Sequence, residues 1–397
     1  MRTKICAPLL LWFLCPTAFG SEPLILQDFL RMVSEKNLSL QVENAAVDSA
    51  KANAKSINIP APMVGLMQMR DSSGSATGLE INQTLPFPTK ITTNRSARAL
   101  EADAQEWERK ARAQETLAQA KLAYFRLWQT QERKELLEEK KSAIQQHIKL
   151  ATAGARSDSF LKIHVLKAES DLDLLENDLL QMSQELQERQ ITLAVMANQD
   201  VLHFLPIARD FPPSELPTLP SSPSQFEAKK FLWESAKARE NELATSWLPD
   251  FNFRFRRTGG TSMTPRYSEL MIGATLPFVF FWDPLAATSK GSADRWKAEL
   301  QVGQEKQKIE AEQFTLITKA SSLRRQLDQF RERLIPRAEK RMQLVHNLAP
   351  RDMETLQDHR ETMENLPDLK LKALEVRAQY EETVANLEKF SGAVKHE

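Results

Sequence analysis

The chain has 397 residues, 42% hydrophobic and 27% charged, with only 11 glycines and 3 tyrosines, a balance that favours long helices with solvated charged faces. Its 53 Lys+Arg match its 53 Asp+Glu, which excludes the basic excess that nucleic-acid binding demands. Both cysteines, Cys6 and Cys15, lie in the first twenty residues, so disulfides and a cysteine metal site are excluded from the rest.

Residues 1–20 read as a signal peptide. Arg2 and Lys4 precede the apolar stretch Ile5 to Phe13, and Ala18-Phe19-Gly20 fits the small-x-small cleavage rule. Leu14 stands before Cys15 where a lipoprotein signal needs a small residue, so lipidation is not expected. No later run of eighteen apolar residues exists, so any membrane insertion must use strands.

Residues 21–205 form a first structural repeat. Leu24 to Ile57 reads as one helix, stopped by Pro60 and Pro62. A strand pair over 63–87 follows, Met63 to Arg70 and Gly78 to Phe87, around the turn cluster Asp71 to Ser75. Leu79, Ile81, Gln83 and Leu85 alternate with Glu80, Asn82 and Thr84, which gives an apolar and a polar face. About ten residues suffice for a tilted strand to cross a bilayer. A long helical hairpin then spans 93–205. Its first helix, Thr93 to Leu150, holds neither proline nor glycine and would run roughly 85 Å. Two adjacent stripes mark it: Leu117, Ala120, Tyr124 and Leu127, then Ala118, Phe125 and Trp128. Ala151 to Ser159 breaks it. The second helix carries a heptad seam through Leu161, Val165, Ala168, Leu172, Leu175, Leu179, Met182, Leu186, Leu193 and Met196. Two such helices across a short break predict an antiparallel hairpin.

Residues 206–224 hold six prolines and read as an extended linker. Residues 225–392 repeat the order. Phe226 to Ser246 is helical, and the strand pair over 250–278 comprises Phe251 to Arg256 and Tyr267 to Phe278. A hairpin over 292–390 runs from Ser292 to Leu348, breaks at Ala349-Pro350-Arg351-Asp352, and continues to Phe390. Thr84-Leu85-Pro86-Phe87 recurs as Thr275-Leu276-Pro277-Phe278, at nearly the offset that separates Pro60 from Pro249 and Gly154 from Pro350. This is a duplication. Four strands cannot close a barrel, and open edges in lipid cost several kcal/mol per unpaired group. Closure therefore needs other subunits, and three copies supply twelve strands. The predicted fold class is mainly α with a membrane β-barrel portion above a helical tunnel.

The order of helix, strand pair, long hairpin and proline linker, then the same again, resembles the TolC family of outer-membrane efflux proteins over nearly the whole mature chain. Gln83-Thr84-Leu85-Pro86-Phe87-Pro88-Thr89-Lys90 is similar to the Q-x-x-P-F-P-G-K pattern of its heavy-metal efflux members, with Thr89 where they have glycine. Gly154 with Ser157, Asp158, Phe160 and Leu161 resembles the family's first helix-turn tip, whereas the second tip carries Ala349-Pro350 in place of the usual glycine. The resemblance implies a homotrimer in the outer-membrane lipid with a periplasmic helical portion. It would dock a periplasmic adaptor and an inner-membrane pump, and conduct substrates passively as the exit duct of a tripartite efflux system. It implies no enzyme activity and no cofactor. Rival readings are a periplasmic coiled-coil adaptor, which needs a lipoyl-like domain that is not evident, and a structural envelope protein without a pore.

No catalytic motif is present: Gly259-Gly260 lacks a phosphate-loop context, and there is no Gly-x-Ser-x-Gly. The tip candidates are Arg156 and Asp158 at the first break, and Arg351, Asp352 and Glu354 at the second. Repeated around a threefold axis they form charged rings that select cations or hold a mouth shut; read blandly, they are polar turn residues. His147, His164, His346 and His359 bracket the two breaks without metal-ligand spacing. Met63, Met67 and Met69 read as barrel or lipid-facing side chains rather than a copper ladder. Phe278, Phe280, Phe281 and Trp282 suit a membrane-interface belt or packing at the barrel–helix junction, as do Trp247 and Phe251.

Overall fold

The computed structural model describes residues 23–72, 74–154, 159–220, 222–260, 265–277, 282–346 and 353–391. The elements are α1 (Leu26–Lys36), α2 (Leu38–Lys55), β1 (Met63–Asp71), β2 (Gly74–Leu85), α3 (Pro88–Gly154), α4 (Ser159–Met196), α5 (Ser224–Ala244), β3 (Phe251–Thr258), β4 (Tyr267–Ala274), α6 (Trp282–Gln329), α7 (Ile335–His346) and α8 (Met353–Glu388).

The first helix is not continuous. Asn37 leaves the helical region (φ −64°, ψ 124°) and divides it into α1 and α2. Its side-chain oxygen accepts from the Ser39 and Leu40 amides at 3.0 and 3.3 Å, an N-cap for α2. Its Nδ2 donates to the Met196 carbonyl at 2.8 Å, filling an acceptor that the end of α4 leaves open. The strand hairpin is also tighter than the turn cluster suggested. β1 reaches Asp71 and β2 begins at Gly74, whose φ of +143° suits a residue without a Cβ. Strands β2 and β4 end at Leu85 and Ala274, short of Phe87 and Phe278.

Helix α3 begins at Pro88 rather than Thr93. Proline is preorganised for the first helical position, where its missing N–H is not needed. The long helix of the second half starts at Trp282 rather than Ser292 and is interrupted by a π-turn over Phe330–Leu334. The Ile335 amide donates five residues back, to the Phe330 carbonyl. The cause is Pro336, which cannot donate to Glu332 and whose ring would strike that carbonyl.

The helices form a single row, in two tiers. Near the sheet the order is α2–α3–α5–α6. Lys51–Glu106 (2.7 Å) joins α2 to α3, the Trp107–Phe231 stack (6.4 Å) joins α3 to α5, and Arg295–Glu240 (3.0 Å) joins α6 to α5. Away from the sheet the order is α4–α3–α8–α6/α7. Leu137, Ile144, Leu175 and Met182 bury the α3–α4 seam, the last two from the heptad run of the second helix. Lys140–Asp368 (2.8 Å) and Lys370–Glu139 (3.0 Å) tie α3 to α8, and Ala320, Leu323, Tyr380, Val384 and Leu387 close α8 on α6.

The proline-rich linker is extended and also strapped down across this row. The Tyr124 hydroxyl donates to the Leu24 carbonyl (2.7 Å) and accepts from the Arg209 amide (3.0 Å). Tyr380 donates to the Ser214 carbonyl (2.7 Å), and the Arg377 guanidinium lies 4.3 Å over the Trp128 ring. Phe29, Val33, Ala120, Tyr124, Leu127 and Leu193 form the main core beneath it.

Candidate functional site: a two-faced sheet, open edges and the tip

The sheet is antiparallel, ordered β1-β2-β3-β4. In such a pair directly opposed residues share a face. Register then sorts the side chains. Leu66, Leu79 and Arg257 form one rung; Val64, Ile81, Phe255 and Leu270 form the next, and Phe253 lies opposite Ile272. This face is apolar and bare: Leu66 is 90% exposed and Leu270 67%. A soluble chain would bury such a surface, whereas lipid covers it without cost.

The other face is polar. Glu80 pairs with Arg254 (3.3 Å) and Arg256 (3.1 Å), and Arg256 also reaches Glu269 (3.8 Å), so β2, β3 and β4 share one charge network. Asn82, Thr84 and Asn252 share this face by register. Met63, Met67, Met69 and Met271 lie on this polar face, opposite the face of Leu66 and Leu270. Gly78 sits at its crowded point. A Cβ there would come within 2.8 Å of the Arg257 carbonyl and 2.9 Å of Met67 Cγ, which is why glycine pairs with Met67.

The Gln83-to-Lys90 segment is the joint between sheet and helices. Gln83 Nε2 donates to the Pro60 carbonyl (2.8 Å), Phe87 stacks on Phe251 (6.1 Å), and Lys90 pairs with Asp250 (2.8 Å). Asp250 also accepts from the Phe87 amide at 3.3 Å. The motif's lysine thus has a structural partner from the second repeat. Asp250 carried no signal in the sequence beyond its place between Pro249 and β3.

Both sheet edges, β1 and β4, lack a strand partner among the described residues. The ends of the helix row match them. On α4, Ile163, Leu166, Leu174, Leu180 and Val195 point away from the α3 seam, with Leu180 72% exposed. On α2, Leu38 and Val42 are exposed, and on α6 so are Trp296, Leu300, Phe314 and Ile317, with Phe314 74% exposed. Apolar stripes therefore run along both ends of the row.

Of the tip candidates, Arg156, Asp158, Arg351 and Asp352 lie outside the described residues, as do Phe278, Phe280 and Phe281. Glu354 is in the first turn of α8. Above the tip the fold unites three of the four flagged histidines, from three helices: His147 (α3), His164 (α4) and His359 (α8). His147 and His164 line a cavity of about 190 Å³ with Lys167, Gln357, Arg360, Glu361 and Glu364. Arg360 bridges to Asp171 on α4 and to Glu364 (2.8 Å). Burial, then Arg360 and the other two imidazoles, hold the His147 pKa down at about 4. No cluster of three His, Cys, Asp or Glu able to hold a metal occurs among the described residues. Nor is any described helix long and apolar enough to cross a membrane.

A row of helices with apolar ends, joined to a four-stranded sheet with one apolar face, one charged face and two open edges, is the TolC-like fold of outer-membrane channel subunits. Solved structures share it at low identity. The chain aligns with the outer-membrane channel OprN at TM-score 0.77 and 14% identity, over 93% of this chain and 90% of that one. It aligns with the open state of the Neisseria gonorrhoeae MtrE outer membrane channel at 0.76 and 14%, over 93% and 89%. With CusC, described in terms of transmembrane channel formation, the values are 0.77 and 12%, over 93% and 92%. No protein-family model and no curated protein matches the sequence.

Proposed function

We propose that this chain is one third of an outer-membrane exit duct that passes substrates from the periplasm or a pump to the exterior. The observation that carries this reading is the coincidence of open edges. The sheet and the helix row end on the same two sides, each with unpaired backbone or bare apolar side chains. A closed ring satisfies both at once. Three copies give twelve strands around a lumen lined by Glu80, Arg254, Arg256 and Glu269, and a helical cylinder below it. The α4 and α2 stripes of one copy then face the α6–α7 stripe of the next. The domain plan proposed with it is the duplication across the 206–224 linker.

The tip would be the periplasmic mouth, with Arg156, Asp158, Arg351, Asp352 and Glu354 as gate rings, docked to an adaptor and an inner-membrane pump. The Gln83-to-Lys90 segment supports the heavy-metal subgroup. The sequence carries no catalytic motif that competes with a passive duct. The test is planar-bilayer conductance of the purified protein. Discrete, long-lived steps are expected, with an altered cation preference in Asp352→Ala. Purified protein that pellets with the outer membrane and gives no conductance under any applied voltage refutes the duct.

A further inference from the structure

The methionines on the lumen-side face of the sheet sit at its edges, and ring closure brings them together. One rung runs Met63–Asn82–Arg254–Met271 across all four strands, with methionine at each end. Met67 and Met69 share the face of Met63 further along β1. In the isolated chain Met69 is 43% and Met271 47% exposed, and Met67 leans over Gly78.

The stagger at the seam follows from geometry. Four strands about 4.8 Å apart make each subunit about 19 Å wide. A tilt of about 35–45° lifts the far edge by about 13–19 Å, which is about four to six residues at 3.3 Å each. Opposed residues must share a face, so the shift is even: four or six. A shift of four sets Met271 opposite Met67 of the neighbouring subunit, and a shift of six sets it opposite Met69. The opposite sense would place Met271 beside residues 59 or 57, before β1 begins, and leave the seam almost unpaired. Either allowed register leaves the third methionine one diagonal step away, and opposed Cβ atoms are about 5 Å apart.

We propose that each of the three barrel seams carries a thioether site, Met67 and Met69 of one subunit with Met271 of the next, that binds a soft monovalent cation such as Cu(I) or Ag(I). Thioether sulfur is a soft, neutral donor that favours such ions over hard cations such as Mg²⁺ or Ca²⁺. In these registers Glu269 falls opposite Met69 or residue 71, and Arg256 (3.8 Å) draws its carboxylate back toward the Glu80–Arg254–Arg256 network, which leaves the sulfurs as the soft donors at the seam. Three such sites on the lumen wall would let the duct hold and pass on soft cations selectively. The proposal rests on the trimeric duct and names a cargo class for it.

The test is silver titration of the purified, detergent-solubilised protein in chloride-free nitrate buffer, with its mass measured on the same sample. The silver-loaded sample is then examined by X-ray absorption. Three silver ions per trimer with sulfur in the first shell are expected. The near-isosteric variant M67L/M69L/M271L should stay trimeric and lose silver affinity at least tenfold, while M63L should not. A trimer that binds no silver, binds it through oxygen or nitrogen only, or binds it equally well in the triple variant overturns the site and leaves the duct standing. A protein that is not trimeric removes the duct and the site together.

Discussion

Lowering the pH should loosen the tip end of the helix row through His147. This imidazole is 4% exposed, and its Nδ1 has no partner. It faces His164 and Lys167 on α4, and Gln357, His359, Arg360, Glu361 and Glu364 on α8, and Arg360 in turn pairs with Asp171 on α4. Burial first, then the Arg360 charge and the two imidazoles, hold its pKa at about 4 against an ordinary 6.5. The folded pKa is depressed, so between these values a locally opened state takes up the proton more readily than the packed one. Stability is therefore full above pH 6.5, falls as pH drops toward 4, and levels off below. A depression of this size corresponds to about 3 kcal/mol, and solvent screening through the cavity beside the ring reduces that to roughly 2 kcal/mol. Hydrogen exchange corrected for intrinsic rates reads it directly. Protection in α8 around residues 359–366 should fall tenfold or more between pH 7 and pH 4.5, and His147→Phe should flatten that dependence. Equal pH dependence in wild type and variant would show that the buried imidazole does not hold the tip.

Other perturbations test the joints of the fold. Gly78→Ala puts a Cβ against the Arg257 carbonyl and should cost about 1–3 kcal/mol, read as a lower midpoint for heat-induced gel-migration change. Tyr124→Phe removes a donor to Leu24 and an acceptor for Arg209, which should cost about 2 kcal/mol and make the 206–223 strap a site of faster proteolysis. Lys90→Met strands Asp250 at the sheet–helix joint and should cost about 1 kcal/mol in thermal unfolding, with most of the loss recovered in K90M/D250N.

Sequence patterns that rest on periodicity carried over well to the structure. The 4-3 spacing through Ala168, Leu175, Met182 and Leu193 is the buried seam of α4, and the alternation around Glu80 and Phe253 is the two-faced sheet. What periodicity missed depends on residues far apart in the chain. Nothing local in Lys36-Asn37-Leu38 announces a break, because the second half of its logic is the Met196 carbonyl, 159 residues away. Pro88 was legible as a helix start but reads equally as a breaker. Pro336 lies inside the segment read as one helix from Ser292 to Leu348, yet the sequence alone does not show that a π-turn absorbs it. The three histidines share no spacing because they come from three helices. The methionines divide by face only once strand register is known. Asp250 gains its place in the joint from Lys90 and the Phe87 amide, both about 160 residues away in the chain. The gate candidates Arg156, Asp158, Arg351 and Asp352 lie outside the described residues, so their role still rests on the sequence pattern.

The claim on which everything else depends is closure by three copies. Cryo-electron microscopy of the detergent-extracted protein tests it most directly. The account predicts a threefold ring with twelve strands, with β4 of each subunit hydrogen-bonded to β1 of the next and the bare α4 side of one helix row seated on the α6–α7 side of a neighbour. A monomer whose β1 and β4 edges stay open, or an assembly that buries the charged Glu80–Arg256 face and leaves Leu66 and Leu270 toward the lumen, would contradict it.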